Sequence, residues 1–187
     1  MYKEPLRSDS LRRQQNIVDC FARLLEATPY PGLTVRQVCT AAGISRTVFY
    51  RYFESKEDLA DALVDRLVLE LLEAGDAIPD LLASRLNALG WFRFWQSRAE
   101  RMRTLARSGL AGRLTDALLA LVQRESLDPL AKRMTGAGYA MLCVRVRTAL
   151  YLIFSMTDHW VRTGLEETPE SMAVFCNAFL HRPLLGN

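Results

Sequence analysis

The 187-residue chain has little of what announces an enzyme or a membrane protein. It holds only two histidines, His159 and His181, and neither has a cysteine, serine or carboxylate at a recognised catalytic spacing. Asp158 directly precedes His159, but adjacent helical residues point in different directions and make no dyad. There is no G-x-x-x-x-G-K, no G-x-S-x-G and no metal motif. Catalysis, a cofactor and a bound metal are therefore not expected. The four cysteines, Cys20, Cys39, Cys143 and Cys176, stand singly without a C-x-x-C pair, as buried thiols of a reducing compartment do. No uninterrupted apolar run approaches the ~20 residues of a membrane span. The most apolar window, Leu142 to Met156, is broken by Arg145 and Arg147. The N-terminus, MYKEPLRSDSLRRQQN, lacks the apolar core of a signal peptide. A cytoplasmic protein without a membrane role is expected. Strand-like alternation, fixed-period repeats and low-complexity segments are missing too, which leaves an all-α chain.

The net charge of +3 is small, but its distribution is uneven. Residues 1–56 hold nine Lys and Arg against five Asp and Glu, whereas the remainder holds 15 against 16. The positive excess thus lies at the N-terminal end, where electrostatic steering toward phosphate would use it.

Apolar spacing places a first helix over about Leu11–Ala27, with Leu11, Ile17, Val18, Phe21, Leu24 and Leu25 inward. Thr28-Pro29-Tyr30-Pro31-Gly32 ends it. From Leu33 to Leu59 the signals come densely. Thr34 and Gln37 form a capping box, Gly43 supplies a sharp turn, Ser45 caps a second short helix, and Ser55 with Asp58 caps the next. Val38, Ala42, Ile44, Phe49 and Tyr52 are spaced to pack two short helices together. This is the plan of a helix-turn-helix, whose second helix enters the DNA major groove. A long helix then runs from Ser55 to about Ala74 on Leu59, Leu63, Leu67, Leu71 and Leu72. It is followed by a break at Gly75–Pro79. Beyond the break the spacing predicts helices over Asp80–Trp95, Ser97–Ala106, Gly109–Arg124, Pro129–Thr135, Ala137–Arg162 and from Thr168 to Leu180.

The run Ala41-Ala42-Gly43-Ile44-Ser45, then Phe49-Tyr50-Arg51-Tyr52-Phe53, then Ser55-Lys56-Glu57-Asp58-Leu59 resembles the DNA-binding domain of the TetR family, all-helical and usually dimeric bacterial transcription regulators. Cys39 stands where the family usually has alanine, and Phe49 where a smaller aliphatic is commoner, so the core beneath the recognition helix should be slightly repacked. The resemblance implies a three-helix DNA-binding domain over residues 1–56, a bridging helix over 55–75, and a helical effector-binding and dimerisation domain over 76–187.

It also implies the DNA contacts: Thr34, Arg36, Ser45, Arg46, Thr47, Tyr50, Tyr52 and Lys56. Arg46 either reads guanine through two parallel hydrogen bonds or grips a phosphate. Thr47 can meet a thymine methyl, Tyr52 fits a buried ring with an exposed hydroxyl, and Lys56 matches a phosphate anchor. Arg7, Arg12 and Arg13 form a basic lead-in that either brushes the flanking groove or is simply solvated.

In the second domain, Trp91, Phe92, Phe94 and Trp95 point around most of one helix and are either packed core or the wall of a cavity. The expected effector contacts are Trp91, Phe92, Trp95, Met102, Arg147, Tyr151 and Phe154, with Met156 as a further wall. Arg145 and Arg147 call for a partner or a route to water. A salt bridge across a dimer, a network on the helix ending at Asp158 and a counter-ion for an anionic ligand all remain open. By resemblance the last two helices form the dimer, with Gly138, Ala140 and Ala149 allowing close approach. The function so implied is a repressor released from a palindromic operator by a small apolar or aromatic effector. The alternative is a DNA-binding regulator governed by a protein partner or acting without a ligand.

Overall fold

The computed structural model describes residues 4–74, 87–131, 134 and 136–181, and among these every regular element is helical. In chain order they are α1 (Glu4–Ala27), a 3-10 turn (Tyr30–Gly32), α2 (Val35–Ala42), α3 (Arg46–Phe49) and α4 (Lys56–Glu73). Then come α5 (Ala88–Gln96), α6 (Ala99–Ser108), α7 (Ala111–Val122), a π turn (Gln123–Leu127), α8 (Asp128–Ala131), α9 (Ala137–Arg162) and α10 (Pro169–His181). The break expected at 75–79, residues 80–86 of the next predicted helix and residues 132, 133 and 135 lie outside the described residues.

The chain divides into two compact units, Met1–Arg66 with Thr104–Ala111, and Leu67–Arg103 with Gly112–Asn187. The change of unit falls within α4 rather than at its end. A glycine–proline break marks where a helix stops, whereas a unit ends where side-chain contacts change. The α4 stripe Leu59, Leu63, Leu67 and Leu71 is buried throughout.

In the first unit, α1 packs on α2 and α2 on α3. Ile17, Val18, Cys20, Phe21 and Leu25 of α1 are buried with Leu33, Val38, Cys39, Phe49 and Phe53. Leu11 is exposed instead (54%), because it lies ahead of Ile17, where the buried stretch of α1 begins. Leu24 is half-buried, and Leu72, at the end of α4, is also exposed. Arg66 of α4 is paired with Asp19 of α1.

The turns are made as their residues dictate. The Thr34 hydroxyl accepts the Gln37 N–H at 3.3 Å, and the Gln37 side chain accepts the Thr34 N–H at 2.9 Å. Gly43 ends α2 in the left-handed region (φ 64°, ψ 35°), and the following Ile44 N–H closes on the Cys39 carbonyl at 3.0 Å. No atom crowds a Cβ built there, so glycine is required by backbone conformation alone. Ser45 accepts the Val48 N–H at 3.2 Å to start α3. Ser55 accepts the Asp58 N–H at 3.1 Å, while the Asp58 carboxylate accepts the Glu54 N–H at 2.9 Å.

In the second unit, α5 packs on α10 and α9, and α9 on α10. The Asn87 side chain caps α5 by accepting the Gly90 N–H at 3.0 Å. At the start of α10 the Thr168 hydroxyl accepts the Ser171 N–H at 3.1 Å. Glu170 of that first turn pairs with Arg93 of α5 at 2.9 Å, and this pairing, with a backbone N–H, holds its carboxyl below the ordinary range. By length and composition α9 could cross a membrane, with a mean hydropathy of 1.4. A core helix passes the same test, and Val146, Leu150, Ile153 and Trp160 of α9 are core.

Candidate functional site

Six of the eight expected DNA contacts are exposed: Thr34, Arg36, Ser45, Arg46, Thr47 and Tyr50. Tyr52 and Lys56 are half-buried. The support beneath them is aromatic. Phe49 is fully buried, edge-on to Tyr50 with ring centroids 5.3 Å apart, and tilted against Phe53 at 5.6 Å. A four-residue helix has too few internal hydrogen bonds to stand alone, so α3 depends on this packing and on the Ser45 cap. Ala42 and Ile44 are half-buried rather than central to the core.

Arg46 and Tyr50 form a pair across one turn. A guanidinium nitrogen of Arg46 donates to the Tyr50 hydroxyl at 3.4 Å, and the guanidinium carbon lies 5.8 Å from the Tyr50 ring centre. The charge is thus held over α3 rather than swinging freely. Arg46 also pulls down the Cys39 thiol, although burial outweighs it and the thiol stays above its usual range.

Lys56 has partners within the protein that its expected role did not include. Its ammonium donates to the carbonyls of Tyr30 (3.0 Å) and Leu33 (2.9 Å) and lies 4.3 Å from the Tyr30 ring centre. Two of its three protons are therefore spent within the protein. The neighbouring Glu57 accepts the Tyr30 hydroxyl at 3.1 Å. Together they staple the start of α4 to the turn that precedes α2. The sequence shows a lysine at a helix start but not the carbonyls 23 and 26 residues upstream that it would meet.

The expected effector residues separate into two groups. Trp91, Phe92, Trp95, Met102 and Phe154 are buried, and so is Phe94. Trp91 lies edge-on to Phe154 at 4.9 Å and to Trp95 at 6.0 Å, and Phe92 to Trp160 at 5.4 Å. Edge-to-face pairs of this kind satisfy the ring quadrupoles. The Trp91 indole N–H donates to the Thr157 hydroxyl at 2.7 Å, which in turn donates to the Ile153 carbonyl at 2.6 Å. The Trp160 indole donates to the Glu167 carbonyl at 2.8 Å. The Trp95 indole nitrogen is buried and has no partner among the described residues. Nothing in the composition pointed to Thr157, a buried polar residue tied to this cluster.

Arg147 and Tyr151 stand apart from that group, on the exposed side of α9. With ~100° per residue, Val146, Leu150, Ile153 and Thr157 face the core while Met141, Val144, Thr148 and Tyr151 face away. Arg145 and Arg147 flank this outward stripe, both exposed, which gives each its route to water. Asp158 is engaged by Arg162 at 2.8 Å, which leaves the alternative of a helix network from Arg147 to Asp158 without support. Met156 is half-buried. Ala149 faces the core of its own unit, whereas Gly138 and Ala140 are exposed. Apolar side chains are exposed on α10 as well, at Val174, Phe175 and Phe179.

Comparison with known proteins agrees with this geometry. Residues 17–63 match the family model described as bacterial regulatory proteins, tetR family. A nucleoid occlusion factor SlmA of Shewanella loihica is 30% identical over 73 residues, which are 39% of this chain and 37% of the relative. The match therefore spans little more than a third of that relative's length. The SlmA of Shewanella sediminis is 25% identical over 160 residues, covering 86% of this chain and 69% of the relative. A TetR transcriptional regulator from Streptococcus agalactiae has the same fold, with a TM-score of 0.69 at 18% identity, covering 94% of this chain and 97% of that one. With its helix-turn-helix built on the Thr34, Gly43 and Ser45 devices, the chain carries over residues 17–63 the DNA-binding domain of the tetR-family bacterial regulatory proteins.

Proposed function

We propose that the chain is a repressor that binds a near-palindromic operator as a homodimer and leaves it when a small apolar or aromatic effector binds the second unit. The observation that carries the DNA half is α3, which presents Ser45, Arg46, Thr47 and Tyr50 outward on a fully buried Phe49. Arg46 reads base edges, while Thr34 and Arg36 approach the backbone. The homodimer is supported by the outward apolar faces of α9 and α10, where Met141 (61% exposed) and Val174 (68% exposed) are left uncovered among the described residues. A second copy burying both faces as a four-helix bundle would set the spacing of the two recognition helices. Arg145 and Arg147, at the edges of the α9 face, would then pair across the dimer rim.

Release follows if the effector favours one arrangement of the second unit, since α4 supplies residues to both units. Coupling of about 1–3 kcal/mol suffices in typical allosteric systems. The test is a thermal-shift screen of metabolites and drugs, with each hit examined for release of bound DNA. Hits that raise the melting temperature and lower operator affinity support the effector. A different reading draws on the SlmA relatives, named for nucleoid occlusion rather than for a ligand. In it the aromatic cluster is filled core and a protein partner is the signal. Operator binding indifferent to every hit, together with a partner that alters it, would favour this second reading.

A further inference from the structure

We propose that the effector is a neutral, mostly apolar molecule with one hydrogen-bond acceptor, a carbonyl or ether oxygen, received by the Trp95 indole N–H. The proposal rests on the effector reading above and adds the chemistry of the ligand. The chain has three tryptophans, all fully buried. Trp91 spends its N–H on Thr157 and Trp160 spends its own on the Glu167 carbonyl. Of the three, the Trp95 N–H is left without an acceptor among the described residues. Its ring neighbours, Trp91 at 6.0 Å and Phe94 at 5.2 Å, carry no oxygen that could serve. A buried donor left in this state is destabilising, and native proteins keep such groups where a water or a ligand completes them.

The same surroundings exclude an anion. Four arginines of this unit are committed: Arg93 to Glu170, Arg98 and Arg101 to Glu70, and Arg103 to Glu100 and the Val161 carbonyl, while Arg107 of α6 is exposed and belongs to the other unit. Arg98 is further held over the Phe94 ring at 4.1 Å. A carboxylate brought against Trp95 would be desolvated with one N–H donor, and Arg93, Arg98, Arg101 and Arg103 are already paired, which is unfavourable. A ketone, ester or ether loses far less on burial and gains the missing bond.

The test uses the full chain labelled with ¹⁵N at the indole nitrogens, which gives three resonances assignable by Trp→Phe variants. Acetophenone, ethylbenzene and benzoate are the probes, matched in size and differing in the acceptor. Acetophenone is expected to move the Trp95 N–H downfield and to bind about fivefold more tightly than ethylbenzene. Benzoate should bind more weakly than either, and Trp95→Phe should abolish the preference for acetophenone. If that variant does not fold, the wild-type spectra decide alone. Equal binding of acetophenone and ethylbenzene with the Trp95 proton unmoved overturns the anchor but leaves an effector site in the cluster. Preferential binding of benzoate overturns the neutral ligand. No response of any indole to any probe overturns the anchor and the aromatic effector site together.

Discussion

Replacing Lys56 with methionine separates the two roles the residue can play. The change keeps a flexible apolar stem beside Tyr30 and removes the ammonium that bridges the Tyr30 and Leu33 carbonyls. The Tyr30 carbonyl retains the Leu33 N–H at 3.2 Å, so the Leu33 carbonyl bears most of the loss. A hydrogen bond from a charged donor contributes about 1.5–3 kcal/mol, and the contact over the Tyr30 ring about 0.5–1 kcal/mol at a partly exposed site. Because one carbonyl keeps a partner, a total near 2–3 kcal/mol is expected. In a protein of this size that lowers the melting temperature by about 4–12 °C. The discriminating measurement is the salt dependence of DNA affinity, taken where both proteins are folded. Each phosphate contact contributes ~0.9 to the slope of log K against log salt concentration. A staple leaves that slope unchanged. A phosphate anchor, present twice in a dimer, lowers it by about 1.8 while the melting temperature holds. The second pattern would refute the structural role given to Lys56.

Three further outcomes follow from the same geometry. Gly43→Ala should cost about 1–2 kcal/mol in thermal unfolding, through the left-handed backbone alone because no atom crowds the new methyl, and an unchanged melting temperature would remove the conformational argument. Thr157→Val keeps the shape of the side chain but orphans the Trp91 N–H, at a cost of about 1–3 kcal/mol; adding Trp91→Phe should recover most of it, and a double variant no better than the single one would contradict the pairing. In mildly alkaline solution the half-buried Cys143 should react first with a thiol reagent, while Cys20, Cys39 and Cys176 wait for unfolding. Burial pushes the Cys176 thiol up to about 12, so rapid labelling of Cys176 would mean that the α10 packing is wrong.

What could be read from the sequence was local. Thr34, Gly43 and Ser45 act on backbone groups within a few residues, and their chemistry does not depend on the rest of the fold. The bounds Ala137–Arg162 of α9 were legible for the same reason. The faces of α9 were not. Apolar residues nearly encircle it, so periodicity could not tell that Phe154 turns inward while Arg147 and Tyr151 turn out. The start of α5 at Asn87 lay hidden in an apparently continuous helical pattern. The carbonyls that Lys56 meets could not be read from the sequence, because the fold brings them near from 23 and 26 residues upstream. The unpaired Trp95 N–H is likewise invisible until the partners of Trp91 and Trp160 are known.

The central claim is that α3 reads DNA through Arg46. Selection of bound fragments from a random DNA library, with wild type and Arg46→Ala side by side, tests it most directly. Wild type is expected to enrich two inverted half-sites about one helical turn, or a multiple of it, apart. The variant should keep the half-sites but lose preference at one base position in each, by about 1–3 kcal/mol. An unstructured wild-type motif, or a variant motif identical to wild type with affinity uniformly reduced, would contradict the account.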